Sequence, residues 1–231
     1  MTFSINRNTL LDILQTLSKV VPTRSTLPIL NCALFTLKDK KLSIRATDLE
    51  ISMTMNCDVE NAIDGSVAMP FSKILEITNA MSEGKINFDI SDIGKVSINS
   101  HHGQYTIMGQ LSEEFPVEFS VENSTTFTID GKELINIINN TSYAASRDDL
   151  KPVLQGVLFQ VDEKGFISVA TDGHRLVKFE KSNVHTIDYQ GSVVVPIKFL
   201  KLLNDKIKED NKIAMIIGEN HIQIKIQNGI I

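Results

Sequence analysis

The residues with the most obvious chemistry lie in one string, Thr171-Asp172-Gly173-His174-Arg175-Leu176, at the end of a predicted strand. Asp172 and His174 have the side chains that general acid–base catalysis uses, and Asp48 lies in a similar Ala-Thr-Asp string. The same residues also suit a turn, because Asp accepts hydrogen bonds from nearby backbone N–H groups and Gly tolerates unusual backbone angles. The turn is the favoured interpretation, since the sequence has no recognisable nucleophile elbow or glycine-rich phosphate loop. A small hydrolase-like enzyme that uses Asp172 and His174 remains the alternative.

Histidine, cysteine and paired carboxylates give little support for a metal site. His101 and His102 are adjacent, and adjacent side chains of a strand point to opposite faces, so a hairpin turn is favoured. Cys32 and Cys57 fall within strand patterns and suit small core residues. Asp148-Asp149 is more typical of a solvated loop. We therefore expect no metal, no cofactor and no disulfide framework, which favours a reducing, cytoplasmic compartment.

Composition narrows the class of protein. The chain has 231 residues, of which 42% are hydrophobic, and its formal net charge is −5. These values exclude a disordered, collagenous or coiled-coil protein. Residues 1–20 have a broken amphipathic pattern, so we expect no signal peptide there. No apolar run approaches the roughly 18 residues of a membrane span, so we expect no membrane partner. The negative charge also disfavours a nucleic-acid partner, since Lys and Arg bind phosphate.

The elements that must position the Asp172 string belong to an internal repeat. A shift of 124 residues aligns Phe3 with Phe127, Leu10 with Leu134, Phe35 with Phe159, and Ala46-Thr47-Asp48 with Ala170-Thr171-Asp172. At a shift of 126, Gly103 aligns with Gly229. This register predicts two copies of one domain, residues 1–121 and 122–231. Leu49-Glu50 stand where the second copy has Gly173-His174, so the function of that string belongs to the second copy.

Each copy contains two helices among several strands. The apolar residues of the first predicted helix are Leu10, Leu11, Leu14 and Leu17, and Asn8 or Thr9 could cap it. A second helix begins after Pro70. Alternating residues predict strands at 3–6, 32–38, 41–48, 50–59, 85–91, 95–100 and 105–111. This order predicts an α+β fold of duplicated domains, each with two helices on one face of antiparallel sheets.

The second copy is shorter than the first at its end. Residues 104–116 follow Gly103 and include a predicted strand, whereas only Ile230 and Ile231 follow Gly229. Asn228-Gly229 is a strong hairpin signal, and a hairpin requires a second strand. About 11 residues of the copy are then missing, and we expect the chain to be a fragment of a longer protein.

Charge is distributed unevenly between helices and strands. The four predicted helices with their adjoining loops (7–24, 72–85, 132–151 and 196–208) contain 12 basic and 7 acidic residues, and the other residues 11 and 21. Lys198, Lys201, Lys206 and Lys208 make the last helix the most basic. If all helices share one face, that face is positive and the strand side is negative. The alternative is an ordinary scatter of surface charge.

Five strings spread along the chain resemble the β sliding clamps of bacterial DNA polymerase III. They are TLPILNCALF (26–35), ATDLEIS (46–52), KPVLQGVLF (151–159), ATDGHRL (170–176) and VPIKFL (195–200). The resemblance implies a non-catalytic processivity factor with three similar domains per chain, closed head to tail as a homodimer ring around double-stranded DNA. It also implies that this chain covers the first domain and an incomplete second, with the third absent. Helices would line the hole, where a basic surface attracts phosphates without reading bases.

The resemblance also implies positions that contact DNA. Arg24 precedes TLPIL, and Ser72-Lys73 open the second helix, with Lys73 the expected carrier of charge. The loop before PVLQG places Asp148, Pro152 and Val153 at further contact positions. Acidic Asp148 departs from a phosphate-binding pattern, so we expect Arg147 and Lys151 to replace it.

A peptide pocket is implied as well. In the family this pocket docks the polymerase catalytic subunit, the clamp loader and other proteins with a clamp-binding motif. The corresponding residues are Leu154, Thr171, Gly173, His174, Arg175 and Leu176. Leu154 and Leu176 would provide an apolar floor, while Arg175 and backbone groups orient the peptide. The other walls lie outside this sequence, so we expect these residues alone to bind peptide weakly or not at all.

Overall fold

The structure is a computed structural model that describes residues 1–22, 24–101, 103–117, 124–148, 150–162, 165–182, 191–204, 207, 212–218, 221–226 and 228–231. Its contacts form two compact units. Unit 1 comprises Met1–Phe119 with Gln227–Ile231, and unit 2 comprises Ser120–Ile226. Both units combine helices with antiparallel sheets, which confirms the predicted α+β fold.

Unit 1 has two helices, α1 (Arg7–Leu17) and α2 (Phe71–Ala80). Its strands are β1 (Thr2–Asn6), β2 (Cys32–Lys38), β3 (Lys41–Thr47), β4 (Ser52–Asp58), β5 (Glu60–Ile63), β6 (Gly65–Pro70), β7 (Lys85–Ile90), β8 (Lys95–Ser100), β9 (Gly103–Met108) and, from the chain end, β17 (Gly229–Ile230). One sheet has the order β5-β1-β7-β8-β9, and a second run pairs as β17-β4-β3-β2-β6.

Unit 2 repeats this plan with helices α3 (Gly131–Thr141) and α4 (Ile197–Asn204). Its strands are β10 (Thr125–Asp130), β11 (Gly156–Asp162), β12 (Gly165–Thr171), β13 (Leu176–Ser182), β14 (Gly191–Pro196), β15 (Lys212–Ile217) and β16 (Ile222–Ile226). β13, β12, β11 and β14 form one sheet in that order, and β10, β15 and β16 pair consecutively. β10 leads directly into α3, as β1 leads into α1.

The core of each unit is built from the apolar residues that the repeat aligns. Phe3 and Phe127 are each 1% exposed, and Leu10 and Leu134 are fully buried. Phe3 stacks on Phe88 with ring centroids 4.6 Å apart, and in unit 2 Phe166 packs against Phe127 and Phe159. Each such burial contributes about 1.5–3 kcal/mol of hydrophobic stabilisation. The residues that pattern the repeat are therefore the residues that hold each unit together.

Some predicted boundaries were wrong. The N-cap of α1 is Asn6, not Asn8 or Thr9, because Asn6 accepts a hydrogen bond from the Asn8 N–H at 2.9 Å. The strand predicted over 50–59 is shorter in the structure, where β4 spans Ser52–Asp58. The sequence pattern missed β5, because its residues are mostly exposed and do not alternate between buried and exposed. The segment 105–111 ends as a strand at Met108.

Several expectations for turns and core residues are confirmed. Asn228 has φ of 61°, the left-handed conformation of a turn residue, and Gly229 pairs with Met55 of β4. His101 lies in a turn between β8 and β9, while His102 lies outside the described residues. Among the described helices none is long and apolar enough to cross a membrane.

The two cysteines are in their predicted strands and are not bonded to each other. Cys32 is buried and Cys57 half-buried. Burial raises the pKa of the Cys32 thiol, and burial together with the charge of Asp58 raises the pKa of Cys57 to about 11. Neutral thiols are poor nucleophiles and poor metal ligands, so neither cysteine is prepared for chemistry.

Candidate nucleic-acid interface and peptide site

The string 171–176 forms a tight turn between β12 and β13 of unit 2. Asp172 Oδ1 accepts hydrogen bonds from the N–H groups of His174 and Arg175, both at 3.0 Å. Thr171 Oγ1 donates to the carbonyl of Arg175 at 2.6 Å and accepts from the N–H of Gly173 at 3.1 Å. Gly173 has φ of 91°, which a residue with a Cβ adopts only with strain. The interpretation of this string as a turn is confirmed.

The same hydrogen bonds remove Asp172 from acid–base chemistry near neutral pH. The N–H groups of Arg175 and His174, followed by the Arg175 guanidinium, lower the pKa of Asp172 to about 2. A carboxylate with so low a pKa is a weak base. Its contact with His174 is to the backbone N–H rather than the imidazole. Among the described residues no group of three or more His, Cys, Asp or Glu side chains could hold a metal ion.

Hydrogen bonds hold the Arg175 guanidinium on two sides. Its Nε donates to Asp172 Oδ2 at 3.0 Å, and an Nη donates to the backbone carbonyl of Tyr143 at 2.9 Å. The guanidinium carbon lies 5.8 Å from the centre of the Tyr143 ring. Tyr143 lies in the 3₁₀ turn Ser142–Ala144 that follows α3, and 56% of it is exposed. Sequence reasoning missed Tyr143, although an exposed aromatic residue after a polar helix end is a usable signal.

The predicted pocket residues come together in part. Thr171, Gly173, His174, Arg175 and Leu176 are consecutive around the turn, and Leu176 is 64% exposed. Leu154 is half-buried in the 3₁₀ turn Pro152–Gln155, where its carbonyl accepts the Ser146 N–H at 2.8 Å. A methyl group built on Gly173 would lie 3.9 Å from the Lys151 ammonium nitrogen. The Lys151 side chain therefore approaches the 171–176 turn within unit 2.

Asp148 has a structural role that explains why an acidic side chain occupies this loop. Its carboxylate Oδ1 accepts the N–H of Leu150 at 3.0 Å, and its backbone carbonyl accepts the N–H of Lys151 at 3.0 Å. Asp favours such turns because its short side chain reaches the backbone two residues onward. The neighbouring Arg147 and Lys151 are exposed, as are Pro152 and Val153, whereas Asp149 lies outside the described residues.

The predicted DNA contacts of unit 1 are all exposed. Arg24 lies in the irregular segment after α1, and Ser72 and Lys73 lie in the first turn of α2. Lys73 is 3.8 Å from Glu76 in a solvent-exposed pair, which is weak and easily exchanged for a phosphate. Arg7, by contrast, donates to the carbonyls of Thr78 and Asn79 at the end of α2 and serves the packing of the two helices.

The exposed helix surfaces carry more amides and hydroxyls than charges. The exposed polar, uncharged residues of α1 and α3 include Asn8, Thr9, Gln15, Asn136, Asn139 and Asn140. Most of the described basic excess therefore lies at helix ends and in adjoining loops, at Lys19, Arg24, Arg147 and Lys151, and on α4, at Lys198 and Lys201. Lys206 and Lys208 lie outside the described residues. Such a surface would attract an anionic partner loosely through charge, rather than bind it through many directed hydrogen bonds.

Comparison with known proteins gives two consecutive matches. The family model for the DNA polymerase III beta subunit, N-terminal domain, matches residues 1–119, and that for its central domain matches residues 128–231. The beta sliding clamp of Pseudomonas aeruginosa is 28% identical over 225 residues, covering 96% of this chain and 61% of the relative. That of Haemophilus influenzae is 27% identical over 230 residues, covering 99% of this chain and 63% of the relative.

A solved structure agrees with these matches. The P. aeruginosa sliding clamp bound to griselimycin has a TM-score of 0.90 at 27% identity, covering 100% of this chain and 63% of that chain. This chain therefore spans less than two thirds of the length of the relatives it matches. Both of its halves match in the order in which the family has them, and the chain belongs to the DNA polymerase III beta subunit family, the bacterial β sliding clamps.

Proposed function

We propose that the chain serves as part of a processivity factor, a sliding clamp that holds the replicative DNA polymerase on duplex DNA. The observation that carries the proposal is the match of both halves to consecutive clamp domains. We assign residues 1–121 and 122–231 to those domains, and the cytoplasm as their compartment. The clamp acts by topology and electrostatics, without a cofactor or metal.

DNA contact is proposed for the exposed cations and their neighbours. The set is Arg24, Ser72, Lys73, Arg147, Asp148, Lys151, Pro152 and Val153, all of which are exposed. Lys and Arg bind phosphate without regard to sequence, and an ordinary surface ion pair such as Lys73–Glu76 costs little to break. Loose contacts suit sliding, because a base-specific hydrogen bond would hold the clamp at one site. Asp148 acts here by shaping its loop rather than by touching phosphate.

Peptide docking is proposed for a site built from Leu154, Thr171, Gly173, His174, Arg175 and Leu176. An exposed Leu176 beside a rigid turn offers an apolar anchor with fixed backbone groups around it. The peptides would come from the polymerase catalytic subunit, the clamp loader and other proteins that share a clamp-binding motif. These 231 residues supply only part of the pocket in this proposal, so weak binding is expected.

We propose that chains of the full family length assemble head to tail into a homodimer ring. In the described part of unit 1, β9 forms an edge of its sheet, and Tyr105 and Met108 on it are exposed. An edge strand with apolar side chains can pair with a strand of another chain. The hydrolase-like alternative has less support, because Asp172 accepts the backbone hydrogen bonds of its turn and its pKa is lowered.

Electrostatic binding to duplex DNA is the direct test of this proposal. The variant Arg24→Ala/Lys73→Ala/Lys151→Ala should bind a fluorescent duplex at least about tenfold more weakly in low salt, because three phosphate contacts are lost. The slope of log K against log[salt] should fall by about 2 to 3.

A control variant separates position from total charge. Lys41, Lys95 and Lys225 are exposed on strands, and Lys41→Ala/Lys95→Ala/Lys225→Ala loses the same charge. We expect this control to bind almost as tightly as the unaltered chain. Equal weakening of both triple variants would overturn the assigned interface.

A further inference from the structure

The guanidinium of Arg175 already makes directed contacts within its own unit. It donates to the Asp172 carboxylate and to the Tyr143 carbonyl, and it lies over the Tyr143 ring. A planar guanidinium held by two hydrogen bonds and a ring has a fixed orientation. Asp172 also balances its charge, so an incoming carboxylate would have to compete with Asp172 for the same Nε group.

The first unit explains why the turn in unit 2 needs such contacts. Ile51 occupies the position of Arg175 in the repeat-related turn and is only 3% exposed, so the core fastens that turn. Arg175 instead has a side chain that is 58% exposed. The turn in unit 2 therefore lacks the apolar anchor at this position, and Asp172, Arg175 and Tyr143 form a polar brace in its place.

We infer that Arg175 is a positioning residue, with Tyr143 as its partner, and that it holds the 171–176 turn instead of contacting the docked peptide. The inference rests on the peptide pocket proposed above and assigns it a residue, Tyr143, outside the family motif. The brace ties the turn to the end of α3, so the backbone groups of Gly173 and the side chain of Leu176 keep their places before a peptide arrives. Preorganisation of this kind lowers the cost of binding.

Four variants test the brace against a direct contact with the peptide. Arg175→Ala removes all of the side-chain contacts of Arg175, and Tyr143→Ala removes the ring but not the carbonyl. Tyr143→Phe keeps both and is the matched control. Arg175→Lys keeps a positive charge but cannot donate in two fixed directions, so it should not replace Arg175 in a brace.

Two measurements on the full chain apply to each variant. The first is amide hydrogen exchange at Gly173, His174 and Leu176 without ligand. The second is an NMR titration to millimolar concentration with the C-terminal peptide of the polymerase catalytic subunit. Arg175→Ala, Arg175→Lys and Tyr143→Ala should speed the exchange and weaken the binding, each by about fivefold for contacts of this strength. Tyr143→Phe should match the unaltered chain in both.

The possible outcomes separate this inference from the function on which it rests. Unchanged exchange and affinity in Arg175→Ala and Tyr143→Ala would overturn the positioning role alone. Full affinity in Arg175→Lys together with fast exchange would also overturn it, because charge toward the peptide would then be the property that matters. Absence of any binding by the unaltered chain at millimolar peptide would contradict the weak binding proposed for these residues. The exchange rates would then decide the positioning role alone, and unchanged exchange in Arg175→Ala would overturn it.

Discussion

The turn after β3 in unit 1 and the turn after β12 in unit 2 are built from matching hydrogen bonds. Asp48 Oδ1 accepts the N–H groups of Glu50 and Ile51 at 3.1 and 2.7 Å, as Asp172 does in the second turn. Thr47 Oγ1 donates to the carbonyl of Ile51 at 2.9 Å, as Thr171 does to that of Arg175. The third residue has positive φ in both, 77° at Leu49 and 91° at Gly173.

The surroundings of the two turns differ. The first ends on Ile51, which is buried in the core, and the second on Arg175, which lies on the surface over Tyr143. The Thr-Asp pair therefore has the same structural role in both copies, which is to accept and donate the hydrogen bonds of the turn. The residues that follow Asp172 are the part of the second turn that differs from the first. A string that looked catalytic in sequence is explained by its duplicate, which keeps Thr and Asp without any histidine.

The largest expected effect comes from exchanging the last residue of each turn. Ile51→Arg would place a charge in the core of unit 1 and should reduce the free energy of unfolding by about 3–5 kcal/mol. Arg175→Ile should cost less than about 1 kcal/mol, because an exposed ion pair contributes little. Urea denaturation of both variants measures the two values. Similar losses of unfolding free energy in the two variants would contradict the conclusion that core packing holds the first turn and surface contacts hold the second.

A smaller effect is expected at the residue with positive φ. Gly173→Ala should reduce the free energy of unfolding by about 1 kcal/mol, because the Cβ is strained although it would meet only the Lys151 side chain. Leu49→Gly removes the strain but also a half-exposed side chain and should be nearly neutral. Thermal unfolding of the pair checks the difference. Equal destabilisation would show that backbone strain at this position is unimportant.

Removing the shared acceptor of the first turn should have an effect of similar size. Asp48→Ala leaves the N–H groups of Glu50 and Ile51 without their carboxylate partner and should cost about 1 kcal/mol. Asp48→Asn keeps an acceptor oxygen and should recover most of the loss. Urea denaturation of both variants tests this, and an Asn variant as unstable as the Ala variant would refute the role of the hydrogen bonds.

The smallest expected effect is a pH dependence confined to acid. The pKa of Asp172 is lowered to about 2, so its stabilising contribution is complete above the unfolded-state value near 4 and is lost as the pH falls through about 2. The difference in stability between the unaltered chain and Asp172→Asn should stay constant at neutral pH and shrink from about pH 4 downward. An NMR titration of the carboxyl carbon gives the midpoint, and a midpoint near 4 would contradict the hydrogen-bonded turn.

Sequence patterns predicted the architecture because burial imposes periodicity. The repeat is readable through residues such as Phe3 and Phe127, whose side chains fill equivalent core positions. Short or exposed elements leave no such pattern, which is why β5 was missed and the α1 cap misplaced. The brace could not be predicted either, since Tyr143 and Arg175 are 32 residues apart and meet only through the fold. The role of Asp148 depends on a hydrogen bond to Leu150 that residue type alone does not specify.

The most direct test of the account is an NMR titration of the chain with two short duplexes of unrelated base sequence. At low salt, both duplexes should shift the amides around Arg24, Ser72-Lys73 and Arg147–Val153, and the shifts should fade together as salt is added. Strand lysines such as Lys41 and Lys95 should remain unaffected. Shifts that depend on base sequence, or that concentrate on the strands, would contradict a clamp surface that holds DNA by charge without reading it.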